Sequence, residues 1–173
     1  MGTTHIALTL ANYLCSKQGM KTAYIELNAT NQICALSQKQ GNSVFSYKGI
    51  VFYPNISVTS LPEILHKNYQ YYILDMGVLN TYTVTEFLRS DKPFLICSQS
   101  KWRFAHINEK IEHLFQYEQK KNCIRLIMNL SEQESNFPHF SSFCEQFPFP
   151  YIPNPFRLEP KNFHAVSRLL KNF

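Results

Sequence analysis

Short apolar runs alternate with helical stretches along most of this chain, and that alternation constrains the fold more than any other feature. Tyr71-Tyr72-Ile73-Leu74-Asp75, Phe94-Leu95-Ile96-Cys97 and Ile124-Arg125-Leu126-Ile127-Met128-Asn129 are near-continuous apolar runs. Such runs predict strands buried on both faces, because a sheet with one wet face alternates apolar with polar residues. Residues 22–27 predict a further strand. Residues 3–18 predict a helix with Ile6, Leu10, Tyr13 and Leu14 on one face, stopped by Gly19. Residues 103–119 carry the clearest amphipathic stripe, made of Phe104, Ile107, Ile111, Leu114 and Phe115. Shorter helices are expected over 61–67, 83–89 and 140–147, and a closing helix over 160–172. A strand pair is expected to flank Pro54-Asn55, with a last short strand at Tyr151-Ile152-Pro153. Residues 33–46 stay open between a short helix and a loop. Strand–helix alternation implies an α/β fold with a mainly parallel sheet and helices on both faces, three layers in all. The length, 173 residues, fits a single domain over 1–173.

Composition narrows the class. The chain is 45% hydrophobic and 17% charged, with 14 Phe and 10 Tyr, which is material for a real core rather than a disordered segment. No apolar run approaches the ~20 residues that cross a bilayer. Residues 1–14 have neither the basic start nor the cleavage site of a secretory signal, so a cytoplasmic location is expected. The five cysteines are scattered through mostly apolar stretches, as expected of buried thiols in a reducing compartment. No Cys or His pair has zinc-ligand spacing. The net charge of +5 is mild. Basic residues at Lys101-Trp102-Arg103, at Lys120-Lys121 and near the C-terminus read as solvated faces, with little support for nucleic acid or membrane. Trp102 reads as core at a helix start in preference to an anchor. Ser98 and Ser100 lack a partner base, so no hydrolytic triad is visible.

In open parallel sheets ligands bind beyond the carboxyl ends of the strands. The polar residues there are Glu26, Asn28, Asp75, Ser98 and Asn129. The first residues add a second pointer. Gly2-Thr3-Thr4-His5 runs straight into the first helix, like the tail of a glycine-rich loop. Such loops hold phosphate with convergent backbone N–H groups at a helix N-terminus, a lysine on the outer phosphates and a hydroxyl on Mg²⁺. Gly2 and Thr4 keep the glycine and the hydroxyl, and Thr3 stands where the lysine is expected. Taken alone, a Gly-Thr-Thr that opens a helix is usually a plain helix cap.

The order of these motifs resembles the MinD/ParA-type deviant P-loop ATPases, most closely their CpaE/TadZ pilus-assembly relatives. The loop runs into a helix with small residues at Ala7 and Ala11. A strand ends in Glu26-Leu27-Asn28, where the family has acid-x-acid. Tyr71-Tyr72-Ile73-Leu74-Asp75-Met76-Gly77 matches a strand ending in Asp-x-Gly, Ile127-Met128-Asn129 a strand ending in Asn, and Tyr151-Ile152-Pro153 a strand leading to Ile-Pro. The resemblance implies ATP with Mg²⁺. Gly2, Thr3, Thr4, His5, Asn129 and Pro153 would bind nucleotide, Thr4 and Asp75 would serve the metal, and Glu26, Asn28 and Asp75 would sit at the reacting phosphate. It also implies a homodimer or a protein partner, and a first strand preceding residue 1, central in the sheet. Either that part lies outside this sequence or the domain tolerates its loss.

The departures define the expected function. Asn28 replaces the second acid, and an amide cannot carry negative charge or take a proton. Glu26 is one methylene longer than the usual Asp. Thr3 removes a positive charge from the transferring phosphate, where charge stabilisation does most of the work. The expectation is a degenerate nucleotide-binding-fold protein, a scaffold or positioning factor with weak or vestigial ATP binding and little hydrolysis. The alternatives are a slow Mg-ATP switch controlling dimerisation, and a nucleotide-free interaction domain of a secretion or pilus machine.

Overall fold

Two separate sheets carry the strands. The computed structural model describes residues 2–37, 43–98, 124–130 and 145–171. They form α1 (Thr3–Gln18), β1 (Thr22–Glu26), a 3₁₀ turn (Gln32–Leu36), β2 (Phe45–Tyr47), β3 (Ile50–Tyr53), a second 3₁₀ turn (Val58–Ser60), α2 (Leu61–Leu65), β4 (Tyr71–Asp75), α3 (Val84–Arg89), β5 (Phe94–Ser98), β6 (Arg125–Asn129), β7 (Glu145–Phe149) and α4 (Pro160–Leu170). Contacts group them into two units. One holds residues 3–87 with 154–158, the other residues 1–2, 88–153 and 159–173. The α/β class and the parallel pairing expected from the sequence are both present.

In the first unit the strand order is β2-β3-β1-β4. β1 is parallel to both β3 and β4, and β2 is antiparallel to β3. β1 is buried at all five positions, as its central place requires. α1 is more deeply set than its single expected face: every residue from Ile6 to Leu14 is buried. Its polar members are hydrogen-bonded. Thr9 Oγ1 donates to the His5 carbonyl at 2.8 Å, and Asn12 Nδ2 donates to the Pro155 carbonyl at 3.1 Å. The core centres on Phe52, whose ring lies 5.2 Å from that of Tyr24 and 5.0 Å from that of Phe45. Ala7, Leu8, Ala11, Ile33 and Ile50 complete this cluster.

Three expectations are corrected here. The strand pair does not flank Pro54-Asn55; it is the β2–β3 hairpin, turned at Lys48 (φ 49°) and Gly49 (φ 81°). Two consecutive left-handed residues make the primed turn that matches strand twist. Residues 58–60 instead form a 3₁₀ turn, with the Ser60 N–H donating to Ser57 Oγ at 3.2 Å. β4 was expected to be buried on both faces. It is the edge of its sheet, half-buried at Tyr72, Ile73 and Leu74, with only Asp75 fully buried. The thiols are also less buried than expected, since Cys15 and Cys34 are half-buried while Cys97 is buried.

The second unit is a parallel sheet ordered β5-β6-β7. Arg125 at the start of β6 donates through Nη1 to the carbonyls of Leu169 (2.7 Å) and Lys171 (3.1 Å), closing the C-terminal end of α4. Two expectations fail here. Residues 145–147 belong to β7, not to a helix; residues 140–144 lie outside the described residues. Phe147 and Phe149 alternate inward at 2% and 1% exposure, the period of a strand. Pro148 is tolerated because β7 is an edge strand. Residues 151–153 form no strand: Ile152 alone turns into the core between exposed Tyr151 and Pro153. The 103–119 stripe, Trp102 and Ser100 lie outside the described residues.

Phe52 carries the first unit's core, so Phe52→Ala is expected to lower stability by about 3–5 kcal/mol in urea unfolding. A loss under about 1 kcal/mol would contradict this packing.

Candidate functional site

β1 and β4 end level with each other, Glu26 paired in register with Asp75. Register neighbours in a sheet share a face, and residues two apart on one strand do too. Tyr24, Glu26 and Asp75 therefore lie on one face of the first unit's sheet. Glu26, Asp75 and Tyr24 are each 0% exposed. Buried carboxylates are costly unless hydrogen-bonded, so their partners define what this place can do.

Asp75 is the hub. Its Oδ2 accepts from the Thr4 hydroxyl at 2.6 Å and from the Tyr24 hydroxyl at 2.7 Å. Its Oδ1 accepts from the Gly77 N–H at 3.0 Å. Its carbonyl accepts from the Leu27 N–H at 2.9 Å and from Asn28 Nδ2 at 3.0 Å. Gly77 lies at φ 59°, and a Cβ there would stand 2.9 Å from Asn28 Cβ, so the turn after β4 needs glycine on both counts.

Glu26 ties loops together. Oε1 accepts from the Gln32 N–H at 3.0 Å, with the Thr30 hydroxyl 3.4 Å away, and Oε2 accepts from the Asn55 N–H at 3.2 Å. Asn28 Oδ1 accepts from the Thr30 N–H at 3.2 Å and also from the Thr30 hydroxyl. This is a local side-chain turn of the kind Asn favours. The donors described here for the two carboxylates are hydroxyls and backbone amides.

Tyr24 is the member that sequence reasoning missed. Burial pushes its hydroxyl well above the ordinary tyrosine value of 10.0, and the Asp75 charge, the hydrogen bond to it and Glu26 push the same way, while Thr4 opposes. Tyr24 therefore stays protonated and donates. Its one sequence signal is its place two residues before Glu26, on the same strand face.

The other expected residues fall as follows. Thr3, Thr4 and His5 form the first turn of α1, half-buried, and that turn carries no acidic residue. An N-terminal turn of this kind favours an anion. In the second unit Gly2 and Asn129 meet. Gly2 lies at φ 109°, and a Cβ there would collide with the Asn129 side-chain amide. Asn129 ends β6, in register with Ser98. Pro153 is exposed and outside any strand.

Two features bear on a metal. Among the described residues no group of three or more His, Cys, Asp and Glu stands together. Thr4 and Asp75 are adjacent, as metal-serving residues would be, but both acceptor positions on Oδ2 are filled by hydroxyl donors. The Thr4 oxygen keeps its lone pairs while it donates, and Oδ1 accepts from Gly77 alone among the bonds above, so these bonds do not exclude a magnesium ion.

No protein-family model matches the chain, and no curated protein sequence matches it. Solved structures do. A putative plasmid partition protein from Borrelia burgdorferi B31, bound to AMPPNP, superposes with a TM-score of 0.71 at 13% identity, covering 98% of this chain and 92% of that one. The MinD cell division protein of Aquifex aeolicus gives 0.65 at 16% identity, over 99% and 93% of the two chains. A ParA family ATPase from Chlorobium tepidum gives 0.63 at 13%, over 99% and 94%. At these identities the likeness establishes the fold: that of the ParA and MinD P-loop ATPases. Among the described residues, no helix is long and apolar enough to cross a membrane.

Two outcomes follow. Glu26→Ala strands backbone donors of two loops and is expected to cost about 2–4 kcal/mol in urea unfolding. A loss under about 0.5 kcal/mol would contradict the tie. Tyr24 has a folded-state pKa raised above its unfolded value of 10.0, so its stabilisation is complete below pH 10 and is lost as pH climbs above it. The stability gap between wild type and Tyr24→Phe should be constant from pH 7 to about 9.5 and shrink above about 10. A gap that widens above pH 10 would contradict a protonated donor.

Proposed function

We propose that this chain is a ParA/MinD-like nucleotide-fold protein acting as a scaffold or positioning factor through protein contacts, with weak ATP binding and little or no hydrolysis, nearest in kind to the CpaE/TadZ group. The observation that carries the reading is the state of the acids. Each one that could serve a reacting phosphate is already spent on structure. Asp75 is bonded by Thr4, Tyr24 and Gly77, and Glu26 by two loops. Asn28, in the second acid's place, is fixed by Thr30 and by the Asp75 carbonyl, and an amide is no general base.

ATP supplies the phosphate charge when bound. The N–H groups of Thr3, Thr4 and His5 in the first turn of α1 are the donors proposed to meet it, and the helix dipole adds to their pull. Asn129 is the proposed base contact. Thr3 offers a hydroxyl where an ammonium would stabilise charge on the transferring group. Pairing through this fold with a second copy, or with another protein, would then be the output.

The Thr4–Asp75 bond favours one alternative, the slow switch, because it keeps a hydroxyl and an acid together at the head of α1. Calorimetric titration with ATP, together with turnover, separates the readings. The proposal predicts ATP binding weaker than about 10 μM. It also predicts turnover at or below about 10⁻³ s⁻¹, the scale of a P-loop hydrolase without its activating charge. Turnover well above that, lost in Asp75→Asn, would establish the switch. No binding at millimolar ATP would leave the interaction domain.

A further inference from the structure

We propose that Tyr24 is a positioning residue for the head of α1: through Asp75 it fixes where the Thr4 hydroxyl points, and so sets ligand binding at the candidate nucleotide site without touching the ligand. The consequence for nucleotide rests on the nucleotide-binding reading above; the coupling of Tyr24 to Thr4 does not.

The last torsion of an aspartate side chain is soft, so a carboxylate held at one oxygen can still turn. Held at both oxygens, it has a fixed plane. Asp75 is held at Oδ1 by the Gly77 N–H, and at Oδ2 by the Thr4 hydroxyl at 2.6 Å and the Tyr24 hydroxyl at 2.7 Å. The two hydroxyls differ in freedom. Tyr24 is 0% exposed on the central strand β1, and its ring is packed 5.2 Å from that of Phe52. Turning its hydrogen away from Asp75 strands a buried donor. Thr4 is half-buried in the first turn of a helix, and its hydroxyl hydrogen rotates to suit its surroundings. The fixed donor therefore places the carboxylate, and the mobile one follows it.

The direction of the Thr4 bond decides what that side chain can offer. While its hydrogen is committed to Asp75, Thr4 presents its oxygen lone pairs, acceptors for a cation or an N–H group. The donors left for phosphate at this helix head are the backbone N–H groups. Tyr24 itself is too deeply buried to meet a ligand, so any effect it has on binding must pass through Asp75.

The test is a double-mutant cycle on the whole chain with Tyr24→Phe and Thr4→Val, read as ATP affinity by calorimetry with Mg²⁺. Phe keeps the ring that packs on Phe52, and Val keeps the branched shape of Thr; each drops only a hydroxyl. Tyr24→Phe is expected to weaken ATP binding about fivefold when Thr4 is present, and by less than about twofold when residue 4 is already Val. Loosened packing alone would give an effect of equal size in both backgrounds, and that result overturns the proposal. So does an unchanged affinity in Tyr24→Phe. Coupling is reciprocal, so it is also read on the nucleotide-free protein by proton NMR of the Tyr24 hydroxyl. Thr4→Val removes the donor that shares Oδ2, and the Tyr24 hydroxyl signal should move downfield as its own bond to Asp75 tightens. A signal that stays in place, or one lost to rapid exchange with water, overturns the coupling. If the signal moves but wild type binds no ATP at millimolar concentration, the coupling stands and the nucleotide reading fails. Should Tyr24→Phe not fold, the NMR measurement, which keeps Tyr24, decides alone.

Discussion

Two hydroxyl hydrogens converge on one oxygen of Asp75, and much of the first unit depends on that meeting. Thr4 brings the head of α1 to the end of β4, and Tyr24 brings the central strand β1 to the same atom. The Asp75 carbonyl holds Leu27 and Asn28, so the loop leaving β1 is fastened to the end of β4. Glu26 then fastens the following turns at Gln32 and Asn55. Each buried charge is tolerated because backbone and hydroxyl donors surround it. Losing one donor therefore acts on a network in which neighbours are coupled.

The proposed function rests on that network. Catalytic carboxylates need an open acceptor position or a proton to exchange. Here three of the about four acceptor positions of Asp75 are taken by the protein's own donors. Selection for a stable platform and selection for a reactive site pull such groups in opposite directions. On the proposed reading Glu26, Asn28 and Asp75 would serve the platform.

The sequence showed strand ends better than it showed neighbours. The apolar run ending at Asp75 locates β4 to the residue, since period and boundary are local properties. Its place at the sheet edge is not local, and the same apolar run that suggests full burial is half-exposed there. The β2–β3 hairpin was hidden because Lys48 is an unexpected residue for a left-handed turn position. β7 was hidden by Pro148, which reads as a strand breaker until the strand is known to be an edge. Thr4, Glu26, Asn28 and Asp75 could be picked out because each sits at a strand or helix end. Tyr24 could not, because its role depends on a diagonal contact with a residue 51 positions away.

The central claim is that Asp75 is a hydrogen-bond hub of the fold, held by the Thr4 and Tyr24 hydroxyls. It is tested most directly by a crystal structure of the protein grown with a non-hydrolysable ATP analogue and Mg²⁺. The account predicts nucleotide phosphates against the first turn of α1, with the Tyr24 hydroxyl still bonded to Asp75. A structure with the Tyr24 hydroxyl turned away from Asp75 would contradict it.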